Sequence, residues 1–302
     1  MTVPCGKLEI LSGQDMENHS EHILRNMQAE EYARIFRGRF ERICNIDGVV
    51  WREVRPLFWR PYFPFFKYKS NEIRIPLHFR LGGFQFCLHD EIQSNSFINY
   101  YIFNDVKKYR LETLKGDQRR DVVKCMKYIH VEAMKDPDEF LKISYPVYVS
   151  FMQRTQYGVR NDLMILDTYN KWWKSVVQSE NILILCAYYN DKLVGVSVLS
   201  RVDDVVIIGM TFTHSDYLSF SPAEALFHTA RTLASNLESV KYIYAGLRTD
   251  NQGVNSFKEN RGAVLVQSPS YYHVNPLAQL LLKAFGGKYL KKISGELHSH
   301  SM

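Results

Sequence analysis

The sequence predicts an α+β fold, a mixed central sheet with helices laid against it. Three apolar, β-branched stretches follow one another from Leu183 in "ILILCAYYNDKLVGVSVLSRVDDVVIIGM", as a packed sheet requires. After them, segments of helical spacing alternate with segments of strand length to the end of the chain, the order of a sheet layered with helices. The chain has 302 residues, 46% of them hydrophobic, with 19 Tyr and 18 Phe, enough for a sizeable core and against global disorder.

Taken in order, "AEEYARIFRGRFERIC" places Tyr32, Ile35, Phe36, Phe40 and Ile43 on one helical face. "VVWREVRPLFWRPYFPFF" is dense in aromatics, and Pro56, Pro61 and Pro64 forbid one long element there; it reads as core, with a pocket wall as the alternative. "NEIRIPLHFRLGGFQFCLHD" reads as two short strands around Gly82 and Gly83. From Asp117 the spacing of Val122, Val123, Met126 and Ile129 predicts a long helix. A second helical stretch opens at Pro137, and Pro146 predicts a break or kink in it.

In the meander, Asn190–Asp191 and Asp203–Asp204 mark hairpin turns. Ser221 is placed to cap the next helix, with Pro222 at its first position and Glu224 as the capping-box partner. "KYIYA" is the following strand. Asn251 caps the short helix of "QGVNSFKENR", and Gly262 ends it. "AVLV" and "SYYHV" resume strand character, and "LAQLLLKAF" is a closing helix.

Lys plus Arg number 38 and Asp plus Glu 32, a net charge of +6, which helps attract an anionic partner or simply keeps the chain soluble. No long basic run or nucleic-acid motif is present. The five cysteines form no close pair, which points to a reduced, cytoplasmic setting and away from structural zinc. No apolar run is long enough to span a bilayer.

Several of these segments carry a resemblance. "ILILCAYYNDKLVGVSVLS", "SPAEALFHTARTLASN" and "YIYAGLRTDNQGVNSFKENRGAVLV" resemble the acetyltransferase-like domain of the GNAT superfamily. With "YPVYVSFMQRTQYG" and "WWKSVV" upstream, they look like the branch related to the Fem aminoacyl transferases of peptidoglycan synthesis. The resemblance implies a GNAT-like central sheet, tandem GNAT-like halves, and a division near residue 140. Residues 1–140 would be a divergent or substrate-binding domain and 141–302 the acyltransferase domain. It also implies that Lys258, in "SFKENRGA", lies near a phosphate-bearing or acceptor substrate. Two departures stand out: the glycine pair that cradles pyrophosphate in acetyl-CoA users is absent from "DYLSFSPAEALF", and no coiled-coil arm is recognisable.

The implied reaction moves an acyl or aminoacyl group from an activated donor to a primary amine by direct transfer. It needs a neutral amine close to the carbonyl, a donor to the oxyanion and a proton for the leaving group. The catalytic candidates are Asp216 as proton acceptor, Tyr217 and His214 for proton exchange, and Lys258 for negative charge. The substrate-binding candidates are Arg154, Tyr157, Tyr244, Arg248, Asp250, Asn251 and Tyr271. Ser221 and Ala223, at a helix start, are the candidates for donor contact. The donor is acyl-CoA, a carrier-protein thioester or aminoacyl-tRNA, with no metal; the acceptor is an amine-bearing small molecule or peptide. The competing reading is a degenerate fold of the same type that binds a peptide, a lipid headgroup or RNA.

Overall fold

The computed structural model describes residues 24–36, 42–155 and 164–280, together with the backbone of 296–297. The fold is mixed α/β, with sheets flanked by helices. The chain divides into two compact units: Met1–Gln28, Ile102–Gly246 and Asn260–Ala263 in the first, Ala29–Tyr101, Leu247–Glu259 and Val264–Met302 in the second.

The first unit is organised by the expected meander of Ile182–Tyr189, Lys192–Val202 and Val205–Thr213. Asn190, Asp191 and Asp203 have φ of 45°, 62° and 53°, left-handed values that Asn and Asp tolerate and that tight hairpins need. Ten consecutive residues of the middle strand, Leu193–Val202, are buried, so both faces are covered and the sequence reads as a continuous apolar run rather than an alternation. Strand Tyr242–Leu247 lies parallel to Val205–Thr213, and helix Pro222–Ser235 makes the crossover between them. Strand His130–Ala133 borders Ile182–Tyr189 on the other side.

Two expectations change here. The helix beginning at Gly116 ends at Cys125, and His130–Ala133 is a strand, because pairing with Ile182–Tyr189 supplies its backbone groups with partners that an isolated helical pattern does not anticipate. Pro146 does not break its helix, which runs from Pro137 to Thr155. Proline removes one donor, and the packing of Phe140, Val147 and Tyr148 holds the helix through it. The helix Leu166–Val177 lies against it through a 2.8 Å hydrogen bond between Ser144 and Tyr169 and an edge contact of Phe140 with Trp173. The two tryptophans of "KWW" are buried anchors, as expected.

In the second unit the strand order is Ile43–Ile46, Val49–Arg55, Phe58–Pro61, Gly83–Leu88, Val264–Val274, Ser96–Phe103. The aromatic-rich segment is core: Trp51, Trp59, Phe79, Phe84 and Phe86 form one buried cluster. The first helix is shorter than its apolar pattern, covering Ala29–Phe36, while Ile43 opens a strand and Phe40 lies outside the described residues. "AVLV" and "SYYHV" belong to one strand, Val264–Val274. The two strands expected around Gly82 are a helix, Leu77–Leu81, and a strand, Gly83–Leu88. Phe79 decides this, since helical geometry drives it into the aromatic cluster, stacked 4.5 Å from Trp59.

The glycines at this join are required by close approach. A Cβ on Gly82 would sit 2.1 Å from the Leu57 carbonyl oxygen. Gly82→Ala is therefore expected to destabilise the protein by ~2–3 kcal/mol, as overpacking against rigid backbone does, seen as a lower urea midpoint at unchanged slope.

Candidate functional site

The most unusual environment among the sequence-predicted residues surrounds Lys258, in the second unit. The turn after Leu247 is held by side chains of the helix that follows it. Asn255, 2% exposed, accepts from the Thr249 N–H at 3.0 Å and donates to the Thr249 carbonyl at 2.7 Å. Asn251 caps helix Gln252–Glu259 as expected, its Oδ1 accepting from the Val254 N–H at 3.4 Å. Gly262, with φ of 87°, ends the turn beyond. The backbone of Arg248 is fixed by donation to the Asn99 carbonyl at 2.9 Å.

The helix so anchored directs Lys258 inward. Lys258 is 9% exposed, donates to the Leu247 carbonyl at 2.9 Å and lies 5.0 Å from the centre of the Tyr101 ring. Burial disfavours its charged form and lowers its pKa to about 8. Tyr101 donates to Glu259 at 2.6 Å, and burial with that carboxylate raises the phenol to about 12. The result is an ammonium in a low-dielectric setting with a carbonyl and a π face as neighbours, a strong electrostatic partner for negative charge.

Around it, Arg248, Asp250 and Asn251 are exposed. Tyr271 packs on Phe84 and Phe86 and borders the aromatic core.

The other candidates belong to the first unit. His214, Asp216 and Tyr217 lie together at the end of strand Val205–Thr213, in the short 3-10 turn Ser215–Phe220. Ser150 pins that turn by accepting from the Ser215 N–H at 3.0 Å. His214 Nδ1 accepts from the Asp216 N–H at 3.3 Å, so a neutral ring carries its proton on Nε2 and presents a donor there. Tyr217 packs among His214, Tyr189 and Phe220, and the Lys192 ammonium lies 5.1 Å from its ring centre. Arg154 reaches Thr213 at 3.5 Å. Tyr244, half-buried, lies on strand Tyr242–Leu247 opposite Ile207. Tyr157 lies outside the described residues.

The helix start at Ser221 differs from expectation. Pro222 is at the first position, but Ser221 is left-handed, φ 55° and ψ 51°, and its side chain makes no cap bond. Glu224 does not close a capping box. It pairs with Arg261, and burial raises its pKa against the lowering effect of that guanidinium. The first turn beside Ser221 and Ala223 thus carries its own carboxylate. Arg231, on the same helix, donates to the Arg261 carbonyl at 2.8 Å and to both oxygens of Asp105 at 2.8 Å.

Sequence reasoning missed Tyr101, Asn255, Glu259 and Arg261. Asn255 and Glu259 sit within a turn of Lys258 on the same helix, so helical spacing offered a signal. Tyr101 offered none, being 158 positions from the Glu259 it bonds.

No protein-family model matches the chain, and no curated protein matches it in sequence. Similarity appears among solved structures. FemX is 10% identical, with a TM-score of 0.59 over 92% of this chain and 99% of its own. The C-terminal domain of an Agrobacterium fabrum protein assigned as a lysylphosphatidylglycerol synthetase is 10% identical, with a TM-score of 0.55 over 95% of this chain and 99% of that one. A conserved protein of unknown function from Bacteroides thetaiotaomicron is 10% identical, with a TM-score of 0.52 over 88% of this chain and 99% of its own. At such identity these matches speak of fold alone: the chain shares its mixed α/β fold with FemX and with that C-terminal domain.

Proposed function

We propose that the protein is a Fem-like N-acyltransferase that moves an acyl or aminoacyl group from an activated ester or thioester directly to a primary amine. The observation that carries the reading is the likeness to FemX across nearly the whole of both chains. The chemistry of Lys258 supports it. Attack of a neutral amine forms the C–N bond and places negative charge on the carbonyl oxygen. Collapse then breaks the bond to the ester oxygen or thiolate, the amine loses a proton and the leaving group gains one. The buried Lys258 ammonium stabilises the developing charge. Arg248, Asp250 and Asn251 contact substrate from the capped turn.

The start of helix Pro222–Ser235 is poorly suited to a pyrophosphate, because Pro222 has no N–H to offer it and Glu224 already engages the Arg261 guanidinium. This favours aminoacyl-tRNA or a carrier-protein thioester over acyl-CoA as donor. Among the described residues no helix is long and apolar enough to cross a membrane. Cys44, Cys87, Cys125 and Cys186 are free thiols, and we place the reaction in the cytoplasm, where they stay reduced.

The test is amide formation by the purified full chain. Labelled aminoacyl-tRNA, acylated carrier protein and acyl-CoA are offered in turn with a panel of primary amines. Amide product from either of the first two, diminished in Lys258→Met, is the expected result. Tight binding of a donor that is never turned over with any amine would leave a binding module in place of an enzyme.

A further inference from the structure

We propose that the second unit carries a docking face for an anionic membrane surface. Three segments bring exposed leucines together around Gly82. Helix Leu77–Leu81 presents Leu77 and Leu81, one helical turn apart, at 80% and 67% exposure, while Phe79 between them is buried. The hairpin between strands Val49–Arg55 and Phe58–Pro61 presents Leu57, whose carbonyl accepts from the Gly83 N–H at 3.0 Å. The chain after strand Val264–Val274 presents Leu277 at 75% exposure. It is fastened there by Asn275, which donates from its backbone to Gly82 at 2.8 Å and from its side chain to the Arg80 carbonyl at 3.2 Å. These are large apolar side chains held outward by a rigid backbone, which single scattered surface leucines are not.

The charged side chains on these segments have one sign. Arg55 and Arg80 are exposed beside Leu57 and Leu81, and residues 54–61, 73–88 and 274–280 contain no Asp or Glu. The carboxylates nearest in sequence are already paired: Glu53, in the hairpin that presents Leu57, is 12% exposed, pairs with Arg42 and accepts from the Leu57 N–H, and Glu72 pairs with Lys69. A second copy of this chain seated on the face through a two-fold axis would bring arginine against arginine. An anionic lipid surface instead receives the leucines at the headgroup boundary and pairs the guanidiniums with lipid phosphates.

Flotation of the purified full chain with vesicles decides the matter. The protein is expected to bind vesicles of phosphatidylcholine and phosphatidylglycerol in equal parts, to leave them at high salt, and to ignore phosphatidylcholine alone. Leu77→Glu combined with Leu277→Glu is expected to weaken partitioning at least about tenfold, with an unchanged denaturation midpoint because both side chains are exposed. Arg55→Gln combined with Arg80→Gln, which leaves the leucines in place, is expected to weaken it and flatten its salt dependence. Absence of binding to the mixed vesicles, or binding by both pairs of variants equal to wild type, overturns the proposal. So does a concentration-dependent dimer that the leucine substitutions dissolve, since a second copy would then cover the face.

Discussion

Asp105→Ala is expected to cost the folded state ~3–5 kcal/mol, and Arg231→Met distinctly less. The asymmetry follows from where the two charges sit. The side chain of Arg231 is 5% exposed and that of Asp105 is 46% exposed. Removing the carboxylate strands a buried guanidinium whose other neighbours are the Arg261 carbonyl and the faces of Phe103 and Tyr109, 4.5 Å and 3.9 Å from its centre. Those rings and that carbonyl recover part of the lost attraction, but none of them carries a full negative charge. Removing the guanidinium leaves a carboxylate that water already reaches, and methionine fills the space between the rings. Urea denaturation at constant slope measures both. The double variant is expected to lie close to Arg231→Met alone, because the stranded charge is gone. Equal losses for the two single variants would show that the pair is worth the same from either side and that burial of Arg231 carries no penalty.

Lys258→Met is expected to remove transfer by ~10²–10³-fold, the scale for loss of one preorganised electrostatic group, while leaving the protein at least as stable at neutral pH. A structural lysine would behave otherwise, losing stability together with activity. The pH dependence has a definite sign. The folded pKa of Lys258 is about 8, against the ordinary lysine value of 10.5, so the folded state holds fewer protons than the unfolded between those values. Stability contributed by this group is full above pH 10.5 and lost as pH falls through about 8. The advantage of the methionine variant is therefore greatest below about pH 8 and shrinks by up to ~3 kcal/mol on the way to pH 10.5. Thermal or urea unfolding of the two proteins across that range provides the check. A stability difference independent of pH would mean that the amine is not held against its hydration.

Much of the fold was legible because its signals are local. The meander announced itself through β-branched runs punctuated by Asn190–Asp191 and Asp203–Asp204, residue pairs that tolerate the left-handed turns found there. The Pro222–Ser235 and Gln252–Glu259 helices were marked by Pro222 and Asn251, at positions where the backbone has N–H groups to spare. The misreadings came where tertiary contacts outweighed local pattern. Leu77–Leu81 has no length to show a helical period, and Phe79 needs the aromatic cluster to choose its conformation. His130–Ala133 became a strand because an edge was waiting for it. Ser221 and Glu224 fit a capping box letter by letter, yet Arg261 recruited the glutamate.

The candidate site divides in the same way. Residue type and spacing alone determined that a capped turn leads into a short helix bearing a lysine, since capping involves groups three positions apart. The tertiary structure decided what that lysine is. Tyr101 and Leu247 enclose it, and Asp105 reaches Arg231 across 126 positions of sequence. Desolvation depends on every atom that excludes water from a charge, and those atoms are gathered from distant parts of the chain only when it folds.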